Sequence, residues 1–170
     1  MKYTPPRTDK KIRAIYCSLF ILAVVGMVLK LGIYTTVAQC VSVAVLTASL
    51  ALYIKYESVT FTYILAERDG ALDFYIDKRT GRRGSYVCYF PVSDAVYLEK
   101  EDKNTRSALR EKYKSVAFYK YGKNIFTGQK YVIVFENNGK YDAVIFEPDE
   151  SFVALIRNEM DKHNAEENEQ

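Results

Sequence analysis

AIYCSLFILAVVGMVLKLGIYTTVAQCVSVAVLTASLALYI, residues 14–54, sets the frame for the whole chain. Lys30 is the only Asp, Glu, Lys or Arg within it, although the 170-residue chain carries 24 basic and 21 acidic side chains. A hydrocarbon core of roughly 30 Å takes about 20 apolar helical residues, so this stretch is long enough for two crossings. As one continuous helix, at about 1.5 Å per residue, it would reach about 60 Å, twice that thickness. The spacing therefore predicts a hairpin, with spans at 12–29 and 34–54 joined by Lys30-Leu31-Gly32-Ile33. It argues against a wholly soluble protein and against an extracellular disulfide scaffold. A cleaved signal peptide is the rival for the first segment alone, but its apolar region is long for one and lacks a small-x-small cleavage site.

Flanking charge gives an orientation. Lys2, Arg7, Lys10, Lys11 and Arg13 precede the first span, and Lys55 and Arg68 follow the second, while the connection offers Lys30 alone. The positive-inside bias places both termini in the cytoplasm, in a multi-pass protein of the cell (inner) membrane. Tyr16, Tyr34 and Tyr53 lie near the span ends, where amphipathic rings favour the headgroup level. Cys17, Cys40 and Cys88 show neither zinc-ligand nor redox spacing and read as small apolar fillers. In the second span Ala38 and Ser42, Ala44 and Ala48, then Ser49 and Ala51 are small residues that permit close helix approach. Packing on the first span, dimerisation and docking on a larger complex all fit that pattern.

Beyond residue 55 the period drops to two. Val59, Phe61, Tyr63 and Leu65 alternate with polar or smaller positions, Asp69-Gly70 marks a turn, and Leu72, Phe74 and Ile76 alternate again. Further strands are expected at 86–90, 95–99, 115–121, 130–136 and 141–146, making seven, with a charged loop and a helical turn at 100–112. Asn137-Asn138-Gly139 suits a tight hairpin turn. Then Phe152, Leu155, Ile156 and Met160 fall at helical spacing, with Pro148, Asp149 and Glu150 suited to a helix start. The expected organisation is an N-terminal arm at 1–11, a transmembrane hairpin at 12–55, a cytoplasmic domain at 56–163 and a disordered acidic tail at 164–170.

Seven antiparallel strands closed by a C-terminal helix resemble the pleckstrin-homology-like (PH-like) fold. Ile145-Phe146-Glu147-Pro148-Asp149-Glu150-Ser151-Phe152, a last strand entering a helix through proline, is the most specific piece. The resemblance covers about Glu57 to Lys162 and implies an α+β architecture: a two-helix transmembrane hairpin, then a small β-barrel or sandwich capped by the final helix. A split barrel shares the same strand pattern. The whole chain also resembles uncharacterised two-pass membrane proteins of Gram-positive bacteria, which implies location and fold and supplies no catalytic residues.

Chemistry is sparse. His163 is the single histidine, and no GxxxxGK[ST], GxGxxG or HExxH occurs, so no enzyme, cofactor or metal site is expected. Asp73 and Asp77 read as an outward strand face. The 11 tyrosines beyond residue 55 accompany 17 basic and 20 acidic residues, which argues against nucleic acid. One cluster stands out: Lys78, Arg79, Arg82 and Arg83 place four cations at one hairpin tip. A short tether would hold that tip near the bilayer, where each cation contributes about 1 kcal/mol against anionic headgroups. Phosphoinositide recognition is not implied, because the first hairpin tip reads Glu67-Arg68-Asp69-Gly70. The expected function is a membrane-anchored binding or scaffold module whose contacts are the lipid bilayer, anionic headgroups and a protein of the membrane or cytoplasm. The alternative is an accessory subunit of a larger membrane complex acting through its hairpin.

Overall fold

A computed structural model describes residues 1–5, 10–29, 34–68, 70–123 and 129–168, apart from the side chains of 166–168. The connection at Lys30-Leu31-Gly32-Ile33 and the turn residue Asp69 lie outside the described residues. The chain divides into two units. One is helical and ends at Val59; the other is β-rich and joins Met1–Pro5 to the chain from Thr60 onward.

The helical unit is a pair of helices, α1 (Lys10–Val28) and α2 (Thr35–Tyr53), the second extended by a π-helical turn, Ile54–Ser58. Both are long and apolar enough to cross a membrane. Their contact seam alternates three- and four-residue steps. Ile12, Tyr16, Leu19, Ala23 and Gly26 on α1 are buried or half-buried, as are Thr35, Ala38, Ser42, Val45, Ser49 and Leu52 on α2. That spacing is the knobs-into-holes pattern of two helices wound together. Gly26 is required there, because a Cβ would overlap the Ser42 hydroxyl. The Ser49 hydroxyl donates to the Tyr16 carbonyl of the facing helix at 2.8 Å, and Ser42 and Thr47 donate to their own helix at 2.8 and 2.9 Å. Each of these three hydroxyls has a backbone carbonyl acceptor. Outside the seam the unit shows bare apolar side chains, among them Ile21, Leu22, Val28, Val37 and Val41. Ser42 and Ser49 thus serve the hairpin itself, whereas Ala44, Ala48 and Ala51 face outward.

The β-rich unit holds two four-stranded sheets packed as an open sandwich. Sheet 1 has the order β1 (Lys2–Tyr3), β2 (Val59–Arg68), β3 (Ala71–Thr80) and β4 (Arg83–Pro91). A short 3₁₀ turn, Val92–Asp94, then leads into sheet 2, ordered β5 (Ala95–Lys100), β7 (Tyr131–Asn137), β8 (Lys140–Phe146) and β6 (Val116–Lys120). All seven expected strands are present, with an eighth, β1, from the segment ahead of α1. The β5, β7 and β8 pairings are antiparallel, but β6 lies parallel to β8 at the sheet's far edge. The seven-stranded expectation was antiparallel throughout; strand alternation reports which face is buried and carries no direction. At the β7–β8 turn Asn138 and Gly139 both take positive φ, as a type I′ turn requires.

Between the sheets sit Tyr63, Phe74, Ile76, Phe90, Ile133, Phe135, Val144 and Phe146, sealed at one end by Phe152, Val153 and Ile156 of α4 (Glu150–Asn168). Asp149 caps α4 by accepting the Phe152 N–H at 2.9 Å. A second, smaller core lies on the other face of sheet 2, where Leu109 of α3 (Thr105–Tyr113) covers Val132, Val134, Ala143 and Ile145. Sheet 2 is therefore buried on both sides, which explains the unbroken apolar run Tyr131–Phe135. Two further expectations change. Leu155 is 43% exposed and lines an open groove with Leu72, so it does not belong to the buried stripe. The segment 164–168, expected to be disordered, continues α4; Ala165, Glu166 and Glu167 are good helix formers, and polarity alone does not break a helix.

Candidate functional site: the β3–β4 hairpin

Strands β3 and β4 of sheet 1 meet at the basic tip. Their register runs from Asp73 opposite Pro91 to Thr80 opposite Arg83, closed by Gly81-Arg82. Gly81 takes φ +60°, as the first central position of a type II′ turn requires, and a side chain there would be strained. A bulge beside Ile76 and Asp77 pairs Asp77 with Tyr86 and sets the phase of everything beyond it.

That phase sorts the four cations. Lys78 and Thr80 share one face with Ser85 and Arg83, since residues two apart point the same way and these are direct partners. Arg79 points to the other face, where its Nε donates to Asp77 Oδ2 at 2.8 Å. Gly84, opposite Arg79, leaves room for this pair; a Cβ there would stand 3.2 Å from Asp77 Oδ1 and 3.3 Å from Arg79 Cγ. Arg79, Arg82 and Arg83 are exposed and Lys78 is half-buried. Among the described residues, Lys78, Arg82 and Arg83 form no ion pair. The hairpin thus brings all four cations together but leaves three of them free for an external anion.

The outer face of β3 and β4 is aromatic behind the tip. Tyr75 packs on Tyr89 with ring centroids 4.8 Å apart and on Tyr86 at 5.8 Å. The Tyr75 and Tyr89 hydroxyls donate to Asp73 Oδ2 at 3.1 and 3.5 Å. Burial and the Asp73 carboxylate both hold the Tyr75 phenol above its usual ionisation range. Asp73 and Asp77 do lie on the outward face, as the alternation predicts, yet they are only 5% and 8% exposed. The tyrosines and Arg79 shield them, so neither is a solvated carboxylate. Tyr86 is 70% exposed and Tyr89 52%, each with a polar tip on an apolar ring. Sequence reasoning found the cations and missed these tyrosines, which read there only as half-buried strand residues. No signal in the sequence marked Tyr86, because the bulge that turns it outward is not visible in the alternation.

Among the described residues no group of three or more His, Cys, Asp or Glu is placed to hold a metal ion. Buried Glu147 lies against Gly122, where a Cβ would come 2.6 Å from Glu147 Oε1. Its N–H donates to the Tyr63 hydroxyl.

A family model described as a bacterial PH-like domain (DUF6106) matches residues 4–165, and the chain belongs to that family. The family model takes in both helices of the hairpin and the β-rich unit. Neither the comparison with curated proteins nor that with solved structures returns a match. Domains of the PH-like kind are typically non-catalytic modules that bind lipid headgroups or proteins, and membership suggests such a module here.

Proposed function

We propose that the protein is a membrane-anchored binding module that lacks catalysis, with its domain in the cytoplasm and its β3–β4 tip on anionic headgroups. The observation that carries this reading is that Lys2–Tyr3 belong to the same sheet as β2, while α1 and α2 lie between them in the chain. The chain leaves the domain, passes through two apolar helices and returns to it, which fits an even number of crossings. The connections are short: α2 and its π turn end at Ser58, β2 starts at Val59, and only Thr4 to Asp9 separate β1 from α1. At no more than about 3.6 Å per residue, a domain tethered at both ends stays within reach of the bilayer surface.

Charge supports the side and the target. Lys2, Lys10, Lys11 and Arg13 flank α1 on the domain's side of the hairpin, which favours the cytoplasm. Arg13 is held by Glu57 at 2.6 Å, with the Tyr16 hydroxyl 3.4 Å from the same carboxylate, so the base of the hairpin is fixed by polar contacts. Lys78, Arg82 and Arg83 supply cations without internal partners, and Tyr86, on the opposite face from Lys78 and Arg83, supplies an exposed ring behind the tip. The outward Ala44, Ala48 and Ala51 of α2 favour a second reading, in which the hairpin docks on another membrane protein.

Topology is tested in intact cells with a membrane-impermeant maleimide, after replacing Cys17, Cys40 and Cys88 by Ala. Lys140→Cys, on the exposed β7–β8 turn, should label only after permeabilisation, and Gly32→Cys should label from outside. External labelling of Lys140→Cys would overturn the cytoplasmic assignment.

A further inference from the structure

The outer edge of β2 is occupied by a very short strand. Lys2 pairs with Ile64 and Tyr3 with Tyr63, the Leu65 N–H donates to the Met1 carbonyl at 2.8 Å, and the Thr4 and Thr62 hydroxyls meet at 3.0 Å. Beyond this ladder one side chain of the segment packs inward. Tyr3 is half-buried against the main core, its ring 6.3 Å from that of Tyr63 and 6.4 Å from that of Phe152. Lys2 and Thr4 are exposed.

We propose that the β2 edge is a strand-acceptor site for an extended segment carrying one aromatic side chain, and that Met1–Thr4 of the same chain fills it as a releasable ligand. The recognition is backbone pairing for affinity and one pocketed ring for choice, the usual division of labour in strand addition. Release does not require the core to open. Tyr63 and Phe152 keep their other partners, Phe146 at 5.4 Å from Tyr63 and Phe74 at 6.0 Å from Phe152. A short ladder at a sheet edge belongs to the least stable part of a fold, where local opening costs least. This acceptor site is independent of the β3–β4 tip, and it stands or falls whether or not the tip touches lipid.

The test uses the full chain in nanodiscs, with Cys17, Cys40 and Cys88 replaced by Ala. Hydrogen exchange is followed at the Leu65 amide and, as internal references, at the Ile133 and Val144 amides. In the unmodified chain the Leu65 amide should exchange at least tenfold faster than both references, and Tyr3→Ser should accelerate it further. Leu65 exchanging as slowly as the references, or unaffected by Tyr3→Ser, overturns the proposal, the first because β1 would then open only with the core. Thr4→Cys with Thr62→Cys, oxidised in the Tyr3→Ser background, should close a bond within one chain and restore protection at Leu65. Covalent dimers in its place would mean that the segment lies on a second copy, and would overturn the occupant proposed here.

Discussion

The hydroxyl of Tyr63 donates to the Tyr121 carbonyl at 2.7 Å and accepts the Glu147 N–H at 3.1 Å, while its ring packs edge-on against Phe146. One side chain of β2 thereby satisfies the exit of β6 and the passage from β8 into α4. Its burial is complete, which pushes its phenol well above the usual range and keeps it a donor. Tyr63→Phe leaves two backbone groups short of a partner, each costing about 1–3 kcal/mol, so a loss of roughly 2–6 kcal/mol is expected in chemical unfolding. Gly122→Ala presses a methyl group on the buried Glu147 carboxylate and should cost about 1–3 kcal/mol by the same measurement. Cys88 gives a pH signature. Burial pushes its thiol up to about 12 from an ordinary 9.0. Between those values the unfolded thiol is ionised and the folded one is not. Its contribution to stability is therefore intact below about pH 9 and is lost as pH rises towards 12. The melting temperature should fall across that window, and less so in Cys88→Ala; equal profiles for the two proteins would contradict the assignment.

Helix α4 shows what element periodicity can and cannot deliver. Phe152, Ile156 and Met160 were legible as its inner stripe, and Phe152 and Ile156 are completely buried. Val153 belongs with them, and Leu155 does not. At about 100° per residue the buried positions centre between Phe152 and Val153, leaving Leu155 roughly 115° away. Leu155→Asp should therefore leave the melting temperature nearly unchanged, whereas Ile156→Ala should cost about 2–5 kcal/mol. The strands were legible because one face of each meets a core. Helix α3 was legible only as a helical turn in a charged loop, because Leu109 is its one fully covered residue and charge dominates the rest. Strand β1 was invisible, since two residues carry no period. Within the hairpin, small residues marked close packing without saying on which face. Gly26→Leu should disrupt the helix pair through Ser42, and Ala44→Leu should not, as read by protease resistance in detergent.

At the scale of the whole molecule, order along the chain and order in space differ in one decisive respect. The N-terminal segment, read as an arm, is part of the sheet on whose far edge the basic tip is built. A fragment beginning at residue 56 would therefore lack β1 and expose the β2 edge, so it should melt below the full-length domain by several degrees in calorimetry. The four cations were legible as a cluster because they are contiguous in sequence. Their division into one internal pair and three free charges was not, because it depends on the bulge at Asp77 and on Gly84. Three free cations at about 1 kcal/mol each set a ceiling of roughly 3 kcal/mol on headgroup contact, screened within about 10 Å at 0.1 M salt.

The chain has no tryptophan, so Tyr86→Trp places a single reporter on the same hairpin, behind the tip. The full chain carrying it, reconstituted in nanodiscs of brominated lipid, reads directly whether the tip reaches the bilayer. With anionic phosphatidylglycerol the account predicts strong quenching that weakens at 1 M salt and in Arg82→Ser/Arg83→Ser. With neutral phosphatidylcholine it predicts little. Unquenched, water-exposed emission in both lipids would contradict it.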